Sequence, residues 1–194
     1  MSTQGSNLTM HVETFAPRLN FLQSNESQRF VASLGDETAD SQTYTDIGKI
    51  MHYVLSQVRN LDDVPRVLEA CRKDGIIEDE RMSKRVFERL NKGFSNPKVR
   101  HWFTDGEAIN ENNIIGYSRH RPEQKVYRPD RVVLTDTDVT VIDYKFGRKN
   151  TDYDNQVRAY MDLLHQMYPT RHVEGYLWYV YSGEVVSVPE TDNI

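Results

Sequence analysis

The stretch RPDRVVLTDTDVTVIDYKFG, residues 128–147, contains two apolar runs separated by a polar turn. The first run follows Asp130, and the second contains Asp143 with Lys145 two residues later. Valine, isoleucine and tyrosine favour strands, and Asp136–Thr137 supplies the polar residues that favour a tight turn. The stretch therefore predicts a β-hairpin that carries two carboxylates and an ammonium among apolar neighbours.

The register of this hairpin decides where its charged side chains point. If Leu134 faces Val139 across the turn, Asp130 comes directly opposite Asp143. Lys145 then shares their face of the sheet, because side chains alternate along a strand. Opposed side chains have Cβ atoms about 4.5–5.5 Å apart, where two like charges destabilise a sheet. A slip of one residue would separate the two carboxylates.

Both predicted strands are apolar on both faces, which is typical of a covered position in a sheet. Two ionised carboxylates there repel each other and lose hydration, and each effect costs on the order of kilocalories per mole. A divalent cation removes this conflict, and hard oxygen ligands suit Mg²⁺ or Mn²⁺. In the alternative, purely structural interpretation, Asp130 pairs with Arg128 or Arg131, and Asp143 pairs with Lys145.

The composition restricts the class of protein. The chain has 194 residues, of which 38% are hydrophobic and 27% charged, enough for one well-buried domain. It contains no apolar run of roughly twenty residues, and its start lacks the layout of a secretion signal, so we expect a cytoplasmic protein without membrane contact. The net charge of −5 argues against a generic nucleic-acid coat but not against a nuclease. The single cysteine, Cys71, excludes an internal disulfide and a multi-cysteine metal site.

The order of predicted elements favours an α+β or mixed α/β fold. We expect residues 1–25 to be a flexible lead-in and residues 26–194 to form one domain, with a helical part over about 45–103 and a sheet core over about 104–190. Predicted helices start at Thr45 or Asp46, at Asp62, at Glu78 and at Pro97, and a later helix covers 152–168. Predicted strands cover 107–117, 125–134, 139–146, 173–181 and 184–188.

Four short motifs occur in a fixed order along the chain. They are Gly48…His52…Leu55 (GxxxHxxL), Pro129-Asp130 (PD), Asp143-x-Lys145 (DxK) and Gln156…Tyr160 (QxxxY). Together they resemble the RecB-like branch of the PD-(D/E)xK nuclease superfamily, and the chain is also similar to the C-terminal nuclease module of AddA-type helicase–nucleases. The resemblance implies a restriction-endonuclease-like core, a central mixed sheet flanked by helices, with an N-terminal helical region. It departs from the branch pattern where Tyr127-Arg128-Pro129 replaces the glycine that often precedes the first aspartate.

The resemblance implies a metal-dependent DNA nuclease, namely the exonuclease module of a helicase–nuclease in DNA repair or recombination. Asp130 and Asp143 would hold Mg²⁺ (or Mn²⁺) with help from the backbone carbonyl of Tyr144. Lys145 would orient or activate the attacking water, and His52 would be a further metal ligand. The implied partners are DNA and a helicase motor, either in the same parent chain or in a partner subunit. The alternative is a catalytically inactive nuclease-fold module for DNA binding or complex assembly.

The remaining residues allow two interpretations each. Gln156 and Tyr160, one helical turn apart, would position the scissile strand or brace the site, or else anchor their helix to the sheet. Glu111 is either a further acidic group near the metal or an exposed strand residue. His52 on its own, between Met51 and Leu55 on its helix, is more typical of a satisfied core residue than of a metal ligand. Arg131 is expected to be structural or to contact a phosphate.

Overall fold

The computed structural model describes residues 10–11 and 38–190. The helices in this part of the chain are α1 (Thr38–Gln57), α2 (Asp63–Lys73), α3 (Glu80–Phe94), α4 (Pro97–His101) and α5 (Asp152–Met167). The strands are β1 (Met10–His11), β2 (Glu107–Asn110), β3 (Asn113–Ile115), β4 (Val126–Tyr127), β5 (Arg131–Leu134), β6 (Asp138–Lys145), β7 (His172–Tyr179) and β8 (Glu184–Val188). Apart from β1, the predicted lead-in over residues 1–25 lies outside the described residues.

A mixed five-stranded sheet forms the centre of the fold, in the order β2-β5-β6-β7-β8. All neighbours are antiparallel except β6 and β7, which run parallel and are joined through α5. A second, small sheet has the order β1-β3-β4. The mixed sheet flanked by helices confirms the predicted fold class. In the described part of the chain, no helix has the length and apolar character needed to cross a membrane.

The central hairpin has the predicted register. Leu134 is opposite Val139 and Arg131 is opposite Ile142, so Asp130, just before β5, continues the ladder toward Asp143. β6 pairs on its other side with β7, which places Asp143 in the interior of the sheet. Both carboxylates therefore come to the same end of the hairpin.

Two predicted strands are each divided into two shorter strands. The segment 107–117 breaks at Glu111, whose φ of 50° is incompatible with a continuing strand. The segment 125–134 breaks before Asp130, where Pro129 supplies no N–H for a ladder. The halves β2 and β5 join the large sheet, whereas β3 and β4 pair in the small sheet. The continuous strands expected from the sequence are wrong at these two breaks, and both breaks lie beside the site described below.

Helices cover both faces of the large sheet and produce two apolar cores. Helices α1–α4 pack on one face, where the core includes Trp178, and α5 packs on the other, where it includes Leu177. Two glycines allow the close approach on each side. Gly93 of α3 lies against the Trp178 ring, and Gly175 of β7 lies against Val157 and its helical neighbours. A Cβ at either position would overlap these side chains, so the helices lie closer to the sheet than larger residues permit.

The first two helix starts differ from the predicted ones in detail. The start at Thr45 or Asp46 is wrong, because α1 begins at Thr38 and no proline or glycine interrupts the chain from there to Ile47. Asp62 precedes α2 as predicted, although its side chain makes no cap hydrogen bond. Asp63 instead accepts hydrogen bonds from two backbone N–H groups of the preceding turn.

Candidate active site

The hairpin directs Asp143 and Lys145 toward α5. Val139 and Val141 of β6 belong to the core under α5, and Asp143 has the same parity along the strand. Ile142 and Tyr144 belong to the opposite core. Asp143 and Lys145 thus lie between the sheet and α5, while the alternate residues of β6 pack against α1–α4.

His52, Glu111 and Asp130 form a compact cluster at the start of β5. One ligand atom from each lies within 4.8 Å of the other two. His52 Nε2 is 3.1 Å from Asp130 Oδ1, and His52 Nδ1 is 3.3 Å from Glu111 Oε1. The three residues come from α1, from the break after β2 and from the residue before β5, and the Glu111 N–H donates to the Asp130 carbonyl at 3.1 Å. Both strand breaks thus contribute a carboxylate to one imidazole.

Arg131 and Asn110 attach the end of α1 to the sheet. The two residues are register partners on β5 and β2. Asn110 Nδ2 donates to the carbonyls of Ser56 and Val58 at 3.0 Å each. The Arg131 guanidinium donates five hydrogen bonds to four acceptors: Trp102 O through two nitrogens, Val58 O, Arg59 O and Asn110 Oδ1. These bonds use all of its N–H donors, so Arg131 is structural and the phosphate contact considered from the sequence is excluded.

This attachment determines where His52 lies. His52 is one helical turn before Ser56, and the neighbours of Asn110 and Arg131 in the chain are Glu111 and Asp130. The same two residues that bind the end of α1 therefore hold the backbone next to both cluster carboxylates. The helix end carries a partial negative charge, which the guanidinium complements without a carboxylate partner.

Asp143 and Lys145 form a buried ion pair beside the cluster. Lys145 Nζ is 2.5 Å from Asp143 Oδ2, and the two side chains are 14% and 3% exposed. Burial raises the pKa of Asp143 to about 6, Lys145 opposes this shift and Asp130 adds to it. Burial also acts to lower the pKa of Lys145, but Asp143 and Asp130 outweigh it and the net pKa is raised. Both carboxylates thus act on one ammonium.

The cluster residues perturb one another in the same way. Burial acts to raise the pKa of Asp130, but His52, Lys145 and the Tyr144 N–H, which donates to Asp130 at 2.6 Å, outweigh burial and lower it. Burial acts to lower the pKa of His52, and the surrounding carboxylates outweigh it and raise that pKa. The pKa of Glu111 is raised, chiefly by burial. The site is therefore an electrostatically negative one in which histidine and lysine are held by carboxylates.

A chain of hydrogen bonds runs from Lys145 into α5. Lys145 Nζ donates to Gln156 Oε1 at 3.1 Å, and Gln156 Nε2 donates to the Tyr160 hydroxyl at 2.7 Å. The Tyr160 hydroxyl in turn donates to the Arg128 carbonyl at 3.3 Å. The Gln156 amide oxygen accepts from Lys145 and its nitrogen donates to Tyr160, so the orientation of the amide is defined. Lys145 also lies 4.0 Å from the centre of the Tyr153 ring.

The donor set fits a hard divalent cation. Two carboxylates and one imidazole converge within a few ångströms, and Mn²⁺ accepts such mixed oxygen and nitrogen ligands while Mg²⁺ prefers the oxygens. A further carboxylate, Asp143, is buried beside them at a raised pKa. A cation here would offset the repulsion among these carboxylates.

A sequence model of the PD-(D/E)XK nuclease superfamily matches residues 27–192. The chain belongs to this superfamily. No curated protein sequence matches the chain as a relative. Membership in the PD-(D/E)XK superfamily agrees with the position of Asp130, Asp143 and Lys145 at one end of the central hairpin, between the sheet and α5.

Of the motif residues, His52 and Asp130 meet in the cluster, where Glu111 joins them. Gln156 and Tyr160 connect to Lys145. Asp143, the second predicted carboxylate ligand, is not one of the three clustered groups and is paired with Lys145. Their catalytic and metal-binding roles, like that of the Tyr144 carbonyl, stay predictions.

The alternative interpretation, in which both hairpin aspartates form structural ion pairs with neighbouring basic residues, holds for one of the two aspartates. Asp143 does pair with Lys145, whereas Asp130 is bonded to His52 and to the Tyr144 N–H. Arg128 pairs with Glu111, with Arg128 Nη2 3.5 Å from Glu111 Oε2.

Asn110 lies outside the four motifs and was not among the predicted site residues. The one signal in the sequence was the position of its side-chain amide, directly before Glu111 on a predicted strand.

Proposed function

We propose that this chain is a Mg²⁺- or Mn²⁺-dependent deoxyribonuclease that hydrolyses phosphodiester bonds. The observation that carries the proposal is the convergence of His52, Glu111 and Asp130 within 4.8 Å, directly beside the buried Asp143–Lys145 pair. A structural ion-pair network needs no three-residue cluster of metal-ligating groups at the end of the same hairpin. Superfamily membership agrees with this chemistry.

The residues divide into holding, donating and positioning roles. His52, Glu111 and Asp130 hold the cation, with Asp143 completing the acidic side of the site. When bound, the cation supplies Lewis-acid stabilisation of the phosphate and activation of a water molecule. The water oxygen bonds to phosphorus, the bond from phosphorus to the leaving sugar oxygen breaks, and that oxygen takes up a proton.

Lys145 donates hydrogen bonds at the place where negative charge develops. Its ammonium is held by Asp143 on one side and by Gln156 on the other, so it needs no rearrangement to act as a donor. Gln156 and Tyr160 hold the lysine and bind the Arg128 carbonyl, two residues before Asp130. They are positioning residues that couple α5 to the metal cluster.

Cleavage assays test this proposal directly. The full chain is incubated with labelled single-stranded and double-stranded DNA, first with Mg²⁺ or Mn²⁺ and then with excess chelator. We expect cleavage that requires the metal and that Asp143→Asn abolishes, while Asp138→Asn in the hairpin turn leaves it unchanged. A folded sample without metal-dependent cleavage, but with DNA binding that Asp143→Asn does not alter, supports the inactive binding or assembly module instead.

We further propose that the chain is of the RecB-like type and serves as the exonuclease module of an AddA-type helicase–nuclease in DNA repair. The support is the convergence of His52 from the GxxxHxxL motif with Gln156 and Tyr160 from the QxxxY motif around one hairpin. A helicase motor, in the same parent chain or in a partner subunit, would supply the DNA, and the expected location is the cytoplasm. Cleavage of DNA labelled at either end separates exonuclease from endonuclease action by the length of the first products.

A further inference from the structure

Exposed apolar side chains are concentrated beside the candidate active site. In the part of the chain that the structure describes, four large hydrophobic side chains are exposed, and three of them are Ile115, Tyr117 and Val126. Their exposed fractions are 50%, 65% and 51%. Scattered single exposed residues are ordinary in proteins, whereas a group of three at one place needs an explanation.

These three side chains occupy the outer face of the small sheet. Ile115 and Val126 are register partners, while the neighbouring partners Ile114 and Tyr127 are buried. The Gly116 N–H donates to the Lys125 carbonyl, so the ladder continues past β3. Alternation then brings Tyr117 to the same outer face as Ile115.

Arg128 extends this face to the metal cluster. It lies two residues after Val126 and is 59% exposed, and its guanidinium reaches Glu111 at 3.5 Å. Arg128, Val126, Ile115 and Tyr117 together form what we call the outer strip. From Arg128 to the level of Tyr117, the outer strip covers four residue spacings along the strands, which is about 13 Å. The outer strip thus starts at the candidate metal ligands and leads away from them.

The charge around the outer strip is opposite to that of the whole chain. Residues 116–128 contain four basic residues and one acidic residue, a net charge of +3, in a chain of net charge −5. The basic residues are Arg119, Arg121, Lys125 and Arg128. Some of them pair with acidic groups of α5, as Arg121 does with Asp152 at 2.7 Å. Arg119 and Arg128 are each 59% exposed, and ion pairs of such exposed side chains are weak, so a phosphate can compete for them.

We propose that the outer strip binds unpaired bases of a single-stranded nucleic acid whose backbone continues into the metal cluster. This inference rests on the proposed nuclease function and specifies its substrate. The flat faces of bases are accessible in a single strand and covered by stacking in a duplex, and they suit an exposed tyrosine beside two branched aliphatic side chains. The basic segment favours this occupant over an apolar protein surface, because a polyanion gains from Arg128 and its neighbours.

Binding measurements without metal test the outer strip separately from cleavage. Fluorescence anisotropy of the full chain is recorded in chelator, with a short labelled single strand and with the same sequence as a blunt duplex. We expect Tyr117→Ala to weaken single-strand binding about tenfold, because stacking contributes appreciably for each base. Tyr117→Phe, which keeps the ring, stays within about twofold of the wild type. Phe87→Ala, which removes the fourth exposed hydrophobic side chain from α3, is the matched control and changes nothing.

The outcomes distinguish this inference from the nuclease proposal. Wild-type cleavage together with single-strand binding that Tyr117→Ala and Ile115→Ser leave unchanged overturns the outer strip alone. Absence of metal-dependent cleavage, with the expected loss of binding in Tyr117→Ala, overturns the nuclease proposal and leaves the strip as a single-strand binding surface. If the two variants instead change the molecular mass in solution without affecting DNA binding, the strip is a protein interface and the inference is wrong.

Discussion

Asn110 and Arg131 face each other across two strands and bind the same carbonyl group, that of Val58 at the end of α1. Through this shared acceptor, the sheet holds the helix that carries His52. The carboxylates of Glu111 and Asp130 follow and precede these two residues in the chain. The distances among His52, Glu111 and Asp130 therefore depend on the hydrogen bonds that Asn110 and Arg131 donate to the Val58 carbonyl.

Arg131→Lys should destabilise the protein by about 3 kcal/mol, because an ammonium has three donors and leaves buried carbonyl groups unsatisfied. Chemical denaturation monitored by circular dichroism measures the change. Arg72→Lys is the control, since Arg72 lies on the surface and pairs with Glu69 of its own helix. We expect this control to stay within about 0.5 kcal/mol. Equal effects of the two substitutions would contradict the structural role of Arg131.

His52→Ala should weaken Mn²⁺ binding by about tenfold or more, because it removes one of three converging ligands. Isothermal titration measures the affinity, and the rise in melting temperature on adding Mn²⁺ provides a second readout, since a ligand of the native state stabilises it. His101→Ala is the matched control: His101, the last residue of α4, is exposed and pairs with Asp105. Unchanged Mn²⁺ affinity in His52→Ala would remove histidine from the metal site.

Tyr160→Phe should lower kcat more than it raises KM, because the loss of the hydroxyl releases Gln156 and, through it, Lys145. Steady-state cleavage kinetics give the two constants. Tyr127→Phe is a stringent control, since the Tyr127 hydroxyl also donates to two backbone carbonyls, those of Arg121 and Gln124, outside this chain of bonds. The interpretation fails if both variants lower kcat equally, because a general loss of packing would then explain the effect.

Cys71 should react slowly with thiol reagents in the folded protein. Burial, with a contribution from Asp74, raises its pKa from an ordinary value near 9 to about 11, which reduces the thiolate about hundredfold at neutral pH. Because the folded-state pKa is raised, the folded protein should lose some stability as the pH rises from about 9 toward 11. Ellman's reagent with and without urea measures the reactivity. Rapid modification without denaturant would show that the α2 core opens readily.

The sequence determined the central hairpin and the identity of the charged residues on it. The Asp136–Thr137 turn predicted the register that the structure has, with Leu134 opposite Val139. Alternation did not exclude a slip of one residue, because both strands are apolar on both faces. Helical spacing likewise located His52, Gln156 and Tyr160 on their helices. These features depend on contacts close in sequence or on strict periodicity, and both can be read from a single amino-acid sequence.

Only the tertiary structure decided which of these residues meet. Asn110, Arg131 and the end of α1 are joined by bonds between residues more than fifty positions apart, and no local pattern encodes such a distance. The breaks at Glu111 and Pro129 divide two expected strands between two sheets, because a positive φ and a missing N–H interrupt the ladder and the halves on either side then pair with different strands. The packing of helix and sheet around those breaks creates the cluster, whereas the sequence supplied only its members.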